Sequence, residues 1–358
     1  MQIVFKPLFL SAVLGAAFLG NPAAAQAKPL NVVASFSVIA DFAKNVGGDR
    51  VAVESIVPVN GDAHTFEPRP ADVIALKRAD LVLVNGLQFD PFMQRLASSS
   101  GTKAALVEVT KGIKPLKNQQ EDHDHDGDHD HDHDHHDHGK GEAHDHDHAH
   151  DKGEAHEHGH DHDKEGAHDH DHEHEHGHHH HGQFDPHAWQ SVPNAIVYVK
   201  NIADALCKAD SAGCDTYKKN ASDYTQKLQA LDESVKAAFA ALPKDRRTII
   251  TSHDAFGYLG ATYGLTLLAP EGTSSETEAT AADVAAIIRQ VREDKGAAIF
   301  MENITNPALI KQISSETGVP VGGKLFSDAL SGPDEPASTY LDMMKYNVDT
   351  ITSAILKK

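Results

Sequence analysis

Residues 121–182 cannot belong to a folded core, so any globular structure must be assembled from the segments on either side. The stretch alternates His with Asp and Glu, carries Gly and has no apolar periodicity. With so little apolar surface to bury, it cannot offset its ordering entropy, and it reads as a disordered loop. Its near-repeats resemble duplication within a loop, not a structural repeat. The tract holds 25 of the 28 histidines in the chain, which points to transition-metal handling. The three that remain, His64, His187 and His253, lie far apart in segments that read as folded. Folding can bring such residues together around one ion.

The tract also distorts the charge balance. It carries 22 acidic residues and 3 lysines, leaving 31 acidic against 29 basic residues elsewhere. The folded part is nearly neutral, so nothing favours nucleic acid as a partner, and the acidic tract opposes it.

Residues 1–25 read as a signal peptide. Lys6 supplies a basic start, Leu8–Gly20 an apolar stretch too short to span a bilayer, and Ala23–Ala25 a small-residue cleavage site. No twin-Arg pair precedes the apolar stretch and no cysteine precedes Cys207. The expectation is a soluble protein, exported unfolded to the periplasm and not a lipoprotein. Cys207 and Cys214 then read as one local disulfide in an oxidising compartment, with a two-thiolate zinc site as the alternative.

Outside the tract, short β-rich runs alternate with helical patterns. Asn31–Phe36, Val51–Val57, Leu81–Asn85 and Ala105–Thr110 read as strands, with helices at Val38–Val46, Ala71–Arg78 and Pro91–Ala97. Two helices follow the tract, Val192–Cys207 and Tyr217–Leu242. The second, with no Gly or Pro inside it, reads as a rigid strut. A second alternating half has strands at Arg247–Ser252, Leu265–Ala269, Ala297–Met301 and Val319–Leu325. Its helices fit Ala255–Tyr263, Ala281–Glu293, Pro307–Thr317 and Pro336–Leu356. Such alternation predicts an α/β protein of two lobes with mostly parallel sheets joined by a long helix. The expected division is an N-terminal lobe at 28–190 containing the loop 121–182, connecting helices at 191–242 and a C-terminal lobe at 243–358.

Ligands in doubly wound sheets bind outside the carboxyl ends of strands, and His64 and His253 both follow strands. His187 directly precedes a helix. Zinc prefers four ligands with imidazole well represented. Asp328, after the last strand, is the choice for the fourth; Glu67, water or a tract histidine are weaker candidates. No HExxH and no evident general base accompany these residues, so an enzyme is not expected.

Four segments carry a resemblance: Gly61–Val73 (GDAHTFEPRPADV), Phe184–Ala195 (FDPHAWQSVPNA), Thr251–Leu259 (TSHDAFGYL) and Leu325–Ile351. In order and spacing they resemble motifs of the periplasmic metal-binding proteins of bacterial zinc and manganese ABC importers, the ZnuA-like family. The resemblance implies two (β/α)4-type lobes joined by a rigid helix, with metal in the cleft. His64, His187, His253 and Asp328 stand at the family's ligand positions. Manganese members have Glu at the third position; His253 there implies zinc. Many zinc members leave water at the fourth position and carry a histidine-rich insertion.

The reading is therefore high-affinity zinc capture and delivery to an ABC-transporter permease. One tight Zn2+ sits in the cleft, and several weak ones lie in the loop, with His123, His125, His129, His131, His133, His178, His179, His180 and His181 as auxiliary ligands. The alternatives are a zinc buffer or storage protein and a manganese-importer protein. A periplasmic zinc chaperone is a candidate second partner, and a monomer is expected. Release is expected to begin in the loop Ser327–Pro333, and ordinary imidazole chemistry to weaken binding below about pH 6.

Overall fold

The computed structural model describes residue 2 and residues 28–118, 182–294 and 296–357. The expected signal segment apart from Gln2, and residues 121–181 of the tract with all its assigned auxiliary histidines, lie outside the described residues.

The first sheet contains β1 (Leu30–Ala34), β2 (Val51–Ser55), β3 (Leu81–Val84) and β4 (Ala105–Glu108), in spatial order β2-β1-β3-β4. Every pairing is parallel. Fully buried β3, Leu-Val-Leu-Val, shows why: strands covered on both faces need apolar residues at every position. The connecting helices are α1 (Ser37–Gly47), α2 (Pro70–Arg78) and α3 (Phe92–Ser100). Pro70 opens α2, where its missing N–H has no cost, and Asp72 accepts the main-chain N–H of Arg69 at 2.6 Å.

Helices α4 (Val192–Ala209) and α5 (Cys214–Ala240) lead to the second sheet. Its strands are β5 (Thr248–Ile250), β6 (Thr266–Leu268), β7 (Ala298–Glu302) and β8 (Val321–Leu325), in order β6-β5-β7-β8, again parallel throughout. Helices α6 (Gly257–Tyr263), α7 (Ala281–Glu293), α8 (Ala308–Thr317) and α9 (Tyr340–Leu356) accompany it. The two lobes thus repeat one topology.

Differences from the expected boundaries have local causes. Thr339 accepts the N–H of Asp342 as an N-cap, so α9 begins at Tyr340 and not at Pro336. Cys214, in a disulfide with Cys207, starts α5 three residues before Tyr217.

One continuous apolar cluster runs from β1 and β3 through α1, α4 and α5 to β5, β7, β8 and α9. A smaller cluster, including Ile287, Ile299 and Ile313, fills the space between the second sheet, α7 and α8. Helix α5 packs on α1, α4 and α9. Polar groups reinforce that junction: buried Asp41 of α1 accepts the N–H of Tyr340 at 3.1 Å and the hydroxyl of Tyr224 at 3.4 Å.

Candidate metal centre

His64 follows β2, His187 precedes α4, His253 lies three residues beyond β5 and Asp328 three beyond β8. The fold brings all four together, with one ligand-capable atom of each within 4.8 Å of the others. Asp328 Oδ2 lies 3.2 Å from His64 Nε2, 3.2 Å from His253 Nε2 and 3.6 Å from His187 Nε2. A tetrahedral ion bound at about 2.0–2.2 Å needs ligand atoms roughly 3.4 Å apart, so these spacings fit. Asp328 Oδ1 and the Nε2 atoms of His64 and His187 are buried without a hydrogen-bond partner among the described residues. Buried polar atoms of this kind are seldom left so unless something else binds them.

Carboxylates stand behind two of the imidazoles. Asp185 Oδ1 lies 2.8 Å from His187 Nδ1 and accepts the His187 N–H at 2.8 Å. Glu302, the last residue of β7, places Oε2 2.7 Å from His253 Nδ1, at ion-pair distance but out of hydrogen-bond alignment. Its other oxygen accepts the N–H groups of Ser252 and His253 at 2.9 and 3.0 Å. Such partners select the tautomer that leaves Nε2 free for a metal. No carboxylate stands behind His64 Nδ1 among the described residues. Asp62 instead accepts its main-chain N–H at 2.9 Å.

The electrostatics follow from this packing. Burial opposes charging His187, but Asp328 and Asp185 outweigh it and raise the imidazole to about 9. Burial likewise opposes charging His253, and Glu302 and Asp328 raise it well above the usual value. Burial works to raise the Asp328 carboxyl, yet His187 and His253 hold it well below the ordinary range.

Aromatic rings floor the cleft. Phe89 lies 5.0 Å from the His64 ring and 5.8 Å from His187, and Trp189 is 5.3 Å from His187. Leu87 and Gln88 precede Phe89 at φ of 52° and 63°, a costly left-handed conformation for residues with a Cβ.

Two expectations change. Glu67 is exposed and lies outside the four-residue group. The loop carrying Asp328 is pinned, not loose: Phe326 to Ser331 are all buried. Ser327 O accepts from Trp189 Nε1 at 3.0 Å and Gln190 Nε2 at 2.7 Å. Asn303 Oδ1 accepts the Ser327 N–H and Asn303 Nδ2 donates to Ala329 O, both at 3.2 Å. Leu330 donates to Ser37 Oγ at 2.9 Å, and its carbonyl accepts the Asn60 N–H at 2.8 Å. Each of these bonds must break before the loop can shift.

Sequence reasoning passed over Glu302, because the expected strand stopped one residue earlier at Met301. It also passed over Asp185, although the Asp185-Pro186-His187 spacing was a usable signal.

Residues 32–354 match the family described as zinc-uptake complex component A, periplasmic. The iron-binding protein YfeA of Yersinia pestis is 30% identical over 343 residues, covering 96% of this chain and 92% of that protein. The manganese ABC transporter substrate-binding lipoprotein PsaA of Streptococcus anginosus is 29% identical over 351 residues, covering 98% and 97%. Among solved structures, the periplasmic zinc binding protein TroA from Treponema pallidum superposes with a TM-score of 0.71 at 25% identity, covering 92% of this chain and 99% of that one. The chain therefore belongs to the zinc-uptake complex component A family, the periplasmic metal-binding components of ABC importers, which serve a membrane permease and are not enzymes.

Proposed function

We propose that this protein captures Zn2+ with His64, His187, His253 and Asp328 and delivers it to the permease of an ABC importer. The observation that carries the reading is the convergence of three imidazole Nε2 atoms on one buried Asp328 oxygen at 3.2–3.6 Å. Three nitrogen donors and one oxygen suit a borderline ion; harder Mn2+ prefers more oxygen. A second reading, manganese or iron transport, is favoured by relatives named for those metals.

The tract 121–182 serves in this proposal as a weak zinc collector. Its flanks support that role by where they are held. Asn118 and Gln183 are joined by a main-chain hydrogen bond of 3.2 Å, and Asn118 Nδ2 donates to Gly182 O and, at 3.2 Å, to Thr273 Oγ1. Thr273 belongs to the segment that follows β6 and lies two residues beyond Glu271, whose main chain pairs with that of His253. Asn118, Gly182 and Gln183 are thus held to one another and to the segment that follows β6. The proposal also takes residues 1–25 as an export leader and the mature protein as monomeric. No described helix is long and apolar enough to cross a membrane.

The test uses Trp189, the only tryptophan in the chain, as an optical report on the cleft. Zinc and manganese are titrated into metal-free protein and competed against each other, with metal content measured in parallel. The expectation is one tight zinc that changes the Trp189 signal, plus weaker zinc that does not. Manganese displacing equimolar zinc from the tight site would replace the zinc reading with the manganese one.

A further inference from the structure

The four proposed ligands are not equally sealed. The side chains of His187, His253 and Asp328 are fully buried, whereas that of His64 is 7% exposed. His187 is backed by Asp185, His253 by Glu302, and Asp328 sits on the pinned loop. His64 is held differently. Its main-chain N–H goes to Asp62 Oδ1 at 2.9 Å, and the other oxygen, Asp62 Oδ2, accepts the hydroxyl of Ser275 at 2.6 Å. Asp62 lies beyond β2 in the first lobe and Ser275 beyond β6 in the second, so this bond joins the two lobes through the residue that holds the least buried ligand.

Ser275 lies on a segment suited to opening. Its start is tied to the backbone around His253: Glu271 N donates to Ser252 O and Asp254 N to Gly272 O, each at 3.1 Å. Beyond Gly272 it has no regular secondary structure before α7, and Glu276, Thr277 and Glu278 are exposed. Segments with few buried contacts open at low free-energy cost. The Asp328 loop, which follows β8 of the same sheet, has the opposite character.

We propose that Asp62 and Ser275 form a positioning pair that holds His64 in the centre, and that metal leaves past His64 when this pair opens. The proposal rests on the metal-centre reading above. Opening Ser275 from Asp62 frees the His64 turn on its exposed side. The imidazole can then swing out while the three buried ligands stay in place. Since zinc affinity depends on a full ligand set, loss of one ligand suffices for transfer, and no lobe need rotate.

The experiment follows zinc release from the full mature chain. Protein loaded with one equivalent of zinc is mixed rapidly with excess EDTA, and Trp189 fluorescence is recorded. A hydrogen bond to a charged group is commonly worth about a tenfold factor, so Ser275→Ala is expected to release zinc about tenfold faster. The association rate should change less than about twofold, because most such effects fall on dissociation. Ser275→Thr keeps the hydroxyl and should restore release toward the wild-type rate. Asp62→Ala should also release faster, and the double variant no faster than Asp62→Ala alone, as expected of one coupled pair. Ser274→Ala, on the same segment but accepting the N–H of Glu276, should leave release unchanged; acceleration equal to that of Ser275→Ala would mean general loosening and overturn the pair. Ser275→Ala releasing at the wild-type rate overturns the pair alone. A wild-type protein whose Trp189 signal ignores zinc overturns the centre and the pair with it.

Discussion

Glu302 Oε2 lies 2.7 Å from Nδ1 of His253, 49 residues away in sequence, while Oε1 takes the N–H groups at the start of the His253 turn. One carboxylate therefore orients both the imidazole and the backbone that carries it. Glu302→Gln keeps an oxygen for the amides but removes the charge behind His253. Zinc affinity should fall about 10- to 100-fold, the usual cost of losing such a partner. Glu302→Ala should lose more and also lower the melting temperature, because two buried N–H groups are stranded. Chelator competition and thermal denaturation check both; unchanged affinity in Glu302→Gln would contradict the orienting role.

His253→Ala should reduce zinc affinity by orders of magnitude, since it removes a ligand and leaves Glu302 buried without its partner. His253→Glu is the sharper test of metal preference. A second carboxylate hardens the site and should move the zinc-to-manganese affinity ratio toward manganese. Competition titrations read that ratio directly, and a ratio that stays put would show that the third position does not set preference.

The pH dependence should begin higher than unperturbed histidine chemistry suggests. In the metal-free centre, burial opposes the charged form of His187, but Asp328 and Asp185 outweigh it and raise it to about 9. A raised folded-state value means the charged form stabilises the metal-free fold. That contribution is fully present below the ordinary imidazole value of about 6.5 and is lost as pH rises through about 9. Zinc requires the neutral ring and must displace this proton. Apparent affinity should then climb about tenfold per pH unit for each proton released, from about pH 6.5 to about pH 9. Isothermal titration in buffers of different ionisation heat counts the protons. Affinity flat across this range would place the protons elsewhere.

Lobe movement should be small. Helix α5 spans Cys214–Ala240 without internal Gly or Pro, and one apolar cluster is continuous across both lobes. Asn60 in the first lobe also donates to Leu330 O and Glu335 Oε2 in the second, at 2.8 and 2.9 Å. Small-angle scattering of the full chain, with and without zinc bound only in the cleft, should show no measurable change in radius of gyration. A clear expansion on zinc removal would indicate hinge bending.

The Cys207–Cys214 disulfide lies at the α4–α5 turn, apart from the centre. Replacing both cysteines by Ser should cost about 2 kcal/mol of stability, the loop-entropy value for so short a ring. Zinc affinity should not change. Denaturant titration and zinc competition on the double variant separate the two effects.

The alternation that builds two parallel sheets, the long helix and the three isolated histidines were all legible in the residues alone. These depend on periodicity and residue chemistry within short windows, which survive without knowledge of the fold. Tertiary structure alone decided how Asp328 points and what constrains each ligand. Asp328 faces three imidazoles because Trp189, Gln190, Asn303 and Ser37 fix its loop from elements distant in the chain. Glu302 ends a strand one residue past an apolar run, and nothing local distinguishes it from a solvent-facing carboxylate. Ser275 meets Asp62 across 213 residues. That contact forms because segments following strands of two different sheets meet, and no short stretch of sequence encodes the meeting.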